Sequence, residues 1–224
     1  LGRYIIKEVS SPQYYSVSNE EVTVYLEHEG QIVQIEFLNE SVYTNVSIGK
    51  SGYTEVVPGQ EIRYTFKDIG NNSTVPLDSF YWRDTLPTDA VRLDKIITGT
   101  YSARLNYKVV FQTNLSNTQR VLADNLNTLQ NYTLDASPAA LGLASNEYVT
   151  QVTFLFGRVP GGFRQVETPY IYCDVLSSLP HEYRFSNKCD VGGMWQNQWI
   201  QATDRWVTII YRGGPVPTLP RTGY

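Results

Sequence analysis

A chain of 224 residues, 42% of them hydrophobic and 18% charged, is long enough for one large or two modest domains, each able to bury a core of ordinary size. A net charge of −4 with no Lys/Arg cluster lacks the basic footprint that phosphate backbones require and argues against a nucleic-acid partner. No apolar run approaches the roughly 20 residues of a spanning helix, and 17 Tyr beside a single Met, with abundant Val, Thr, Asn and Ser, is the profile of an exported β-protein.

Taken in chain order, period-2 and short apolar runs predict strands at 21–26, 32–37, 62–66, 105–111, 148–156 and 205–211. Glu29-Gly30-Gln31 reads as the hairpin turn joining the first two, and Pro58-Gly59 as the turn leading into the third. Helical character is confined to 137–144, where Ser137 is a candidate N-cap and Pro138 occupies the first helical position. At one or two turns this is a connector. Strands of this spacing with polar turns between them predict an all-β, immunoglobulin-like β-sandwich. A seam near Ser41 to Thr44 divides a short region, 1–42, from a larger sandwich at 43–212 and a Gly/Pro-rich linker at 213–224.

Three stretches carry a resemblance. The opening Lys7-Glu8 strand followed by Ser11-Pro12-Gln13-Tyr14-Tyr15 resembles the hallmark of collagen-adhesin B-type repeats of pilins, with Ser11 in place of Ala and Tyr14 in place of Gly; Phe37-Leu38-Asn39 fits the family's last strand. The resemblance implies the C-terminal part of a B-type domain, with Glu8 as catalytic carboxyl and Asn39 as acceptor of a Lys–Asn isopeptide bond whose lysine lies on a strand outside these residues. Next, Ile48-Gly49-Lys50, Pro58-Gly59-Gln60 and Asp84-Thr85-Leu86-Pro87 resemble A-type collagen-adhesin domains, with Gln60 where an acidic residue is usual. Phe185-Ser186-Asn187 matches their Asn-bearing strand. This implies Lys50 as nucleophile, Asn187 as electrophile and Asp84 as catalytic acid. Finally, Leu219-Pro220-Arg221-Thr222-Gly223 spells LPxTG, which resembles the sorting signal of sortase substrates on Gram-positive cell surfaces. Four fixed letters arise by chance in on the order of one in a few hundred chains of this length. The Gly/Pro stretch before it cannot continue a strand and leaves the peptide accessible. In such substrates a secretion signal precedes the mature protein, and an apolar helix and basic tail follow the motif. The chain is therefore expected to be part of a longer precursor. The partners implied are a sortase, peptidoglycan or a neighbouring pilin, and the implied location is the extracellular face of the cell wall.

The proposed trio has an independent chemical logic. An amine attacks a carboxamide only when neutral, and burial favours that form. The same surroundings favour a protonated carboxyl able to hydrogen-bond the amide carbonyl and shuttle protons as ammonia leaves. Spacing alone leaves alternatives open: Lys, Asp and Asn are commonly turn residues, Asp68, Asn71 and Asn72 are near competitors, and Asp78 or Asp94 could replace Asp84.

Trp195 and Trp199, beside Gln196, Asn197 and Gln198, form a candidate ligand face for a host glycan or protein, although aromatic residues of sandwiches are more often core. No HExxH, GxSxG, P-loop or CxxC motif occurs, and His28 and His181 stand without a catalytic Ser or Cys motif. Acidic residues lack calcium-loop spacing, so neither metal nor cofactor is expected, and the only chemistry anticipated is single-turnover bond formation. Cys173 and Cys189 can pair only if their backbones approach closely, and buried free thiols are the commoner fate.

Overall fold

In a computed structural model, which describes residues 1–12 and 14–212, no α-helix occurs and sixteen strands form. In chain order they are β1 (Gly2–Lys7), β2 (Glu21–Leu26), β3 (Val46–Ser51), β4 (Glu55–Val56), β5 (Glu61–Asn71), β6 (Leu77–Thr85), β7 (Val91–Ile97), β8 (Thr100–Tyr101), β9 (Asn106–Thr113), β10 (Ser116–Asn127), β11 (Thr133–Asp135), β12 (Val149–Val159), β13 (Gln165–Glu167), β14 (Tyr170–Val175), β15 (Arg184–Trp195) and β16 (Gln198–Ile210). β1 and β2 form a two-stranded sheet of their own. The later strands build a seven-stranded sheet, ordered β10-β9-β12-β6-β15-β16-β4, a five-stranded sheet, ordered β11-β7-β14-β5-β3, and the small pair β13-β8.

Alternation explains the layering. On β5, Ile62, Tyr64 and Phe66 are buried while Glu61 and Arg63 face out; on β6, Phe80 and Trp82 are buried in the same phase. The two inner faces meet in one apolar core, as a sandwich requires. Its centre is aromatic. Trp82 stacks on Phe154 at 3.9 Å between centroids and tilts against Phe66 at 4.8 Å, and its indole N–H donates to the Tyr101 hydroxyl at 2.9 Å, so the largest core side chain is buried with its polar atom satisfied. Truncating such a residue to Ala costs about 3–5 kcal/mol.

The longest regular feature is the β15–β16 hairpin. Gln196 and Asn197 both adopt positive φ (46° and 65°), the combination that a two-residue type I′ turn demands. Gly192 and Gly193 do not interrupt β15. A Cβ on Gly193 would lie 2.9 Å from the Leu77 side chain, and one on Gly192 would lie 2.9 Å from the Tyr81 ring, so these glycines let β6 side chains lie close over the strand.

β3 is the outer strand of the five-stranded sheet, and three side chains at alternate positions of β16 tie the chain there to the opposite sheet. Asp204 Oδ2 accepts the Lys50 backbone N–H at 2.7 Å. Trp206 Nε1 and Thr208 Oγ1 donate to the Tyr53 carbonyl at 3.0 and 2.8 Å. Between these ties Gly52 fits where a Cβ would press at 3.2 Å on both Trp206 and Tyr64.

One expected strand does not form. The turn at Glu29 and Gly30 forms, with Gly30 at φ 82°, but 32–37 is not a strand. β2 pairs with β1 instead, and the segment that follows has little to pack on. Ile32 is 93% and Leu38 82% exposed, so little burial offsets the entropy of fixing a ladder. Around Ser137 the chain makes a single turn, with the Leu141 N–H donating to Ser137 O at 3.0 Å and Gly142 at φ 62° ending it. Cys173 and Cys189 are both free and buried.

Candidate functional site

Each member of the Lys50, Asp84 and Asn187 trio occupies the apolar phase of its strand. Lys50 follows Val46 and Ile48 on the inward face of β3, Asp84 follows Phe80 and Trp82 on β6, and Asn187 sits between Phe185 and Cys189 on β15. β6 and β15 are neighbours in the seven-stranded sheet, with Asp84 opposite Cys189, which leaves Asn187 diagonal to Asp84 on the same face. Lys50 reaches them from the other sheet. The site therefore spans the sandwich.

The contacts are close. Lys50 Nζ donates to Asp84 Oδ1 at 2.6 Å, and both side chains are wholly buried. Asn187 Nδ2 donates to the other carboxylate oxygen, Asp84 Oδ2, at 3.2 Å. The remaining surroundings of Nζ are aromatic faces, Phe66 at 3.9 Å and Tyr64 at 4.7 Å from the ring centroids. Burial raises the Asp84 carboxyl above the ordinary aspartate range, and the Lys50 charge, with hydrogen bonds from Lys50 and Asn187, only partly offsets it. Among the described residues no side-chain or backbone partner meets Asn187 Oδ1. The amide thus offers Asp84 its nitrogen and not, as the sequence reading expected, its carbonyl.

The competing residues are elsewhere. Asn71 is buried but fully paired, donating to Val75 O and Pro160 O and accepting from the Ser73 N–H. Asn72 donates to Ser47 Oγ, the Asp68 carbonyl accepts from that same hydroxyl, and Asp78 pairs with Arg158. The Asp94 carbonyl accepts the Ala136 N–H.

Sequence reasoning missed Tyr64, Phe66 and Asp204. The signal that marks Tyr64 and Phe66 is their inward phase on β5, opposite the position of Lys50: Lys50 pairs with Phe66 in the β3–β5 register. Asp204 carries the same mark on β16, as an acidic residue between the outward-facing Thr203 and Arg205.

In the N-terminal region Glu8 and Asn39 also meet. Asn39 Nδ2 donates to Glu8 Oε1 at 2.8 Å, and the Ser18 N–H donates to Oε2 at 2.6 Å. Both side chains are only half-buried. Trp195 and Trp199 flank the hairpin turn. Trp195 packs partly against the core, whereas Trp199 is 55% exposed and meets Tyr81 edge-on at 6.3 Å. Gln201 Nε2 donates to the Tyr81 hydroxyl at 3.2 Å, beside the bidentate Arg83–Asp190 pair at 2.8 Å. The sorting-signal residues Leu219, Pro220, Arg221, Thr222 and Gly223 lie outside the described residues. Among those that are described, no cluster of His, Cys, Asp and Glu suited to a metal ion occurs.

No protein-family model matches the sequence, and no curated protein matches it. Solved structures with a similar arrangement of strands include a cohesin module from a Clostridium perfringens family 33 glycoside hydrolase, at 8% identity and a TM-score of 0.40, covering 75% of this chain and 98% of that one. Another is BcpA, the major pilin subunit of Bacillus cereus, at 15% identity and a TM-score of 0.37, covering 93% of this chain and 55% of the pilin. A third is the collagen binding subdomain of the Enterococcus faecalis surface protein ACE, at 13% identity and a TM-score of 0.31, covering 74% of this chain and 96% of that one. The chain spans just over half the length of the pilin subunit.

Proposed function

We propose that this chain is a load-bearing module of a cell-wall-anchored surface or pilus protein, its sandwich locked by an amide bond between Lys50 and Asn187 and its LPRTG motif serving as the point of covalent attachment by a sortase. The observation that carries the reading is a wholly buried lysine and a buried asparagine sharing one buried carboxylate, with the lysine on one sheet and the asparagine on the other. The reaction balances with these groups alone. Asp84 Oδ1 takes a proton from Lys50 Nζ, and burial, which raises this carboxyl, favours its holding that proton. The neutral amine adds to Asn187 Cγ. The C–Nδ2 bond then breaks as Asp84, already in contact with Nδ2, returns a proton to it, and the nitrogen leaves as ammonium carrying the second Nζ proton. The core fixes all the reacting groups, which supplies the effective molarity that free reactants lack.

Such a bond closes a loop of roughly 140 residues and removes about 5 kcal/mol of unfolded-state entropy in the loop model used for disulfides. It would also carry tension between the sheets without unfolding them. Intact mass is the test. The folded protein should weigh about 17 Da less than its sequence through loss of ammonia, and Asp84→Ala should restore the full mass; an unshifted wild-type mass sinks the bond. Attachment has its own assay, in which a sortase with an amine nucleophile should cleave between Thr222 and Gly223.

The exposure of Trp199 beside Tyr81, Gln201 and the Arg83–Asp190 pair favours a second reading, an adhesin face for a host glycan or protein. A pure stalk binds nothing on a glycan array. Binding lost on Trp199→Ala would establish the face.

A further inference from the structure

Two buried polar side-chain atoms at the Lys50 site have no hydrogen-bond partner among the described residues, Tyr64 Oη and Asn187 Oδ1. One is a donor and the other an acceptor. Tyr64 is 1% exposed, its ring lies 4.7 Å from Lys50 Nζ, and it projects from β5 in the same phase as Phe66, which covers the amine from the other position. An unpaired buried hydroxyl has given up its hydration with nothing in exchange. An unpaired buried group beside a buried polar cluster calls for a functional explanation.

The chemistry identifies that state. When Nζ adds to Asn187 Cγ, the negative charge develops on Oδ1. Asp84 is not placed to stabilise it, because its two oxygens face Nζ and Nδ2 and the proton it has taken from Nζ is the one it returns to Nδ2. We infer that Tyr64 is a catalytic residue of the amide-forming reaction proposed above, its hydroxyl donating a hydrogen bond to Asn187 Oδ1 as the tetrahedral intermediate forms. No proton leaves Tyr64. The hydroxyl keeps its hydrogen throughout and afterwards satisfies the carbonyl of the new amide, so both orphaned atoms gain a partner. Burial holds the phenol well above its ordinary range, while Asn187 lies near enough to oppose part of that rise without meeting the hydroxyl in hydrogen-bond geometry. The group is thus a protonated donor at neutral pH. Donors aimed at developing charge in a dry site contribute on the order of 10²–10³ in rate.

The inference rests on the Lys50–Asn187 reading, and time-resolved intact mass after cell-free synthesis separates the two. Wild type should lose ammonia. Tyr64→Phe, which keeps the ring, should lose it on the order of 10²–10³ more slowly. Tyr107→Phe should match wild type, since Tyr107 is another buried phenol without a partner, stacked on Phe154 and Phe156 instead of on Lys50. A Tyr64→Phe protein that reacts at the wild-type rate overturns the role of Tyr64 while leaving the bond standing; a wild-type protein that never reacts overturns both. Fluorotyrosine at position 64 preserves packing and makes a more acidic donor, which guards against misfolding of the Phe variant. It should react faster than wild type, and an unchanged rate overturns the inference.

Discussion

The N-terminal region and the sandwich contain the same carboxylate–amide contact in two settings. In both, an asparagine donates Nδ2 to an acidic side chain and its own oxygen is buried without a partner among the described residues: Asn39 with Glu8, Asn187 with Asp84. The difference lies in enclosure and in the amine. Asp84 is wholly buried and holds Lys50, whereas Glu8 is half-buried and fills its second oxygen with the Ser18 N–H. The neighbouring Lys7 pairs with Glu21 across the β1–β2 ladder. A carboxylate beside an amide is therefore an ordinary polar contact. In the function proposed above it becomes a reactive arrangement when a lysine is sealed in with it under aromatic cover.

Lys50→Met removes the amine and leaves Asp84 buried without a cation, an arrangement that costs about 3–5 kcal/mol while the carboxylate is charged. Burial already raises Asp84, and Lys50 is the strongest influence pulling it down. A carboxyl raised in the folded state binds its proton more tightly folded than unfolded, so its stabilising effect is complete at acid pH and is lost as pH rises through the folded value. Thermal melts of Lys50→Met should show stability falling as pH rises above the ordinary aspartate range, and a Lys50→Met/Asp84→Leu double variant should be flat over the same range. Of intermediate size, Asp204→Ala removes a charged acceptor from the Lys50 N–H. It should cost about 1.5–3 kcal/mol and speed hydrogen exchange at that amide. Asp204→Asn, which keeps an acceptor oxygen, should recover part of the loss. The smallest effect belongs to the other region. Glu8→Ala should change melting of the sandwich by less than about 1 kcal/mol and leave the intact mass shift untouched; a loss of the shift would show that the two sites are coupled.

Much of the sandwich is legible in the sequence because its strands alternate cleanly. Ile62, Tyr64 and Phe66 inward against Glu61, Arg63 and Thr65 leave little choice of phase. β10 is hidden by its polar composition, since it is an edge strand broken by bulges in its pairing with β9 and buries few residues. The full length of β15 is obscured by Gly192 and Gly193, which look like a break and are instead sites of close approach to Leu77 and Tyr81. The trio could be named from a resemblance, but its assembly depends on pairings 34 and 103 residues apart, which no local pattern encodes. What the sequence does carry is phase: a lysine, an aspartate and an asparagine each standing where a strand's alternation calls for an apolar side chain. The failure at 32–37 has the opposite cause, a valid alternation with no sheet to receive it.

The ties from Asp204, Trp206 and Thr208 to residues 50–53 have a consequence for timing. A chain made from its N-terminus produces β3 long before β16, so the lysine strand stays unclamped until almost the whole sandwich has been synthesised. Asn187 likewise arrives late. Half-made chains therefore hold the amine and the amide apart, and in the reaction proposed above no bond can close until nearly all of the sandwich has been made. The last strand acts as the molecule's own signal that assembly is finished.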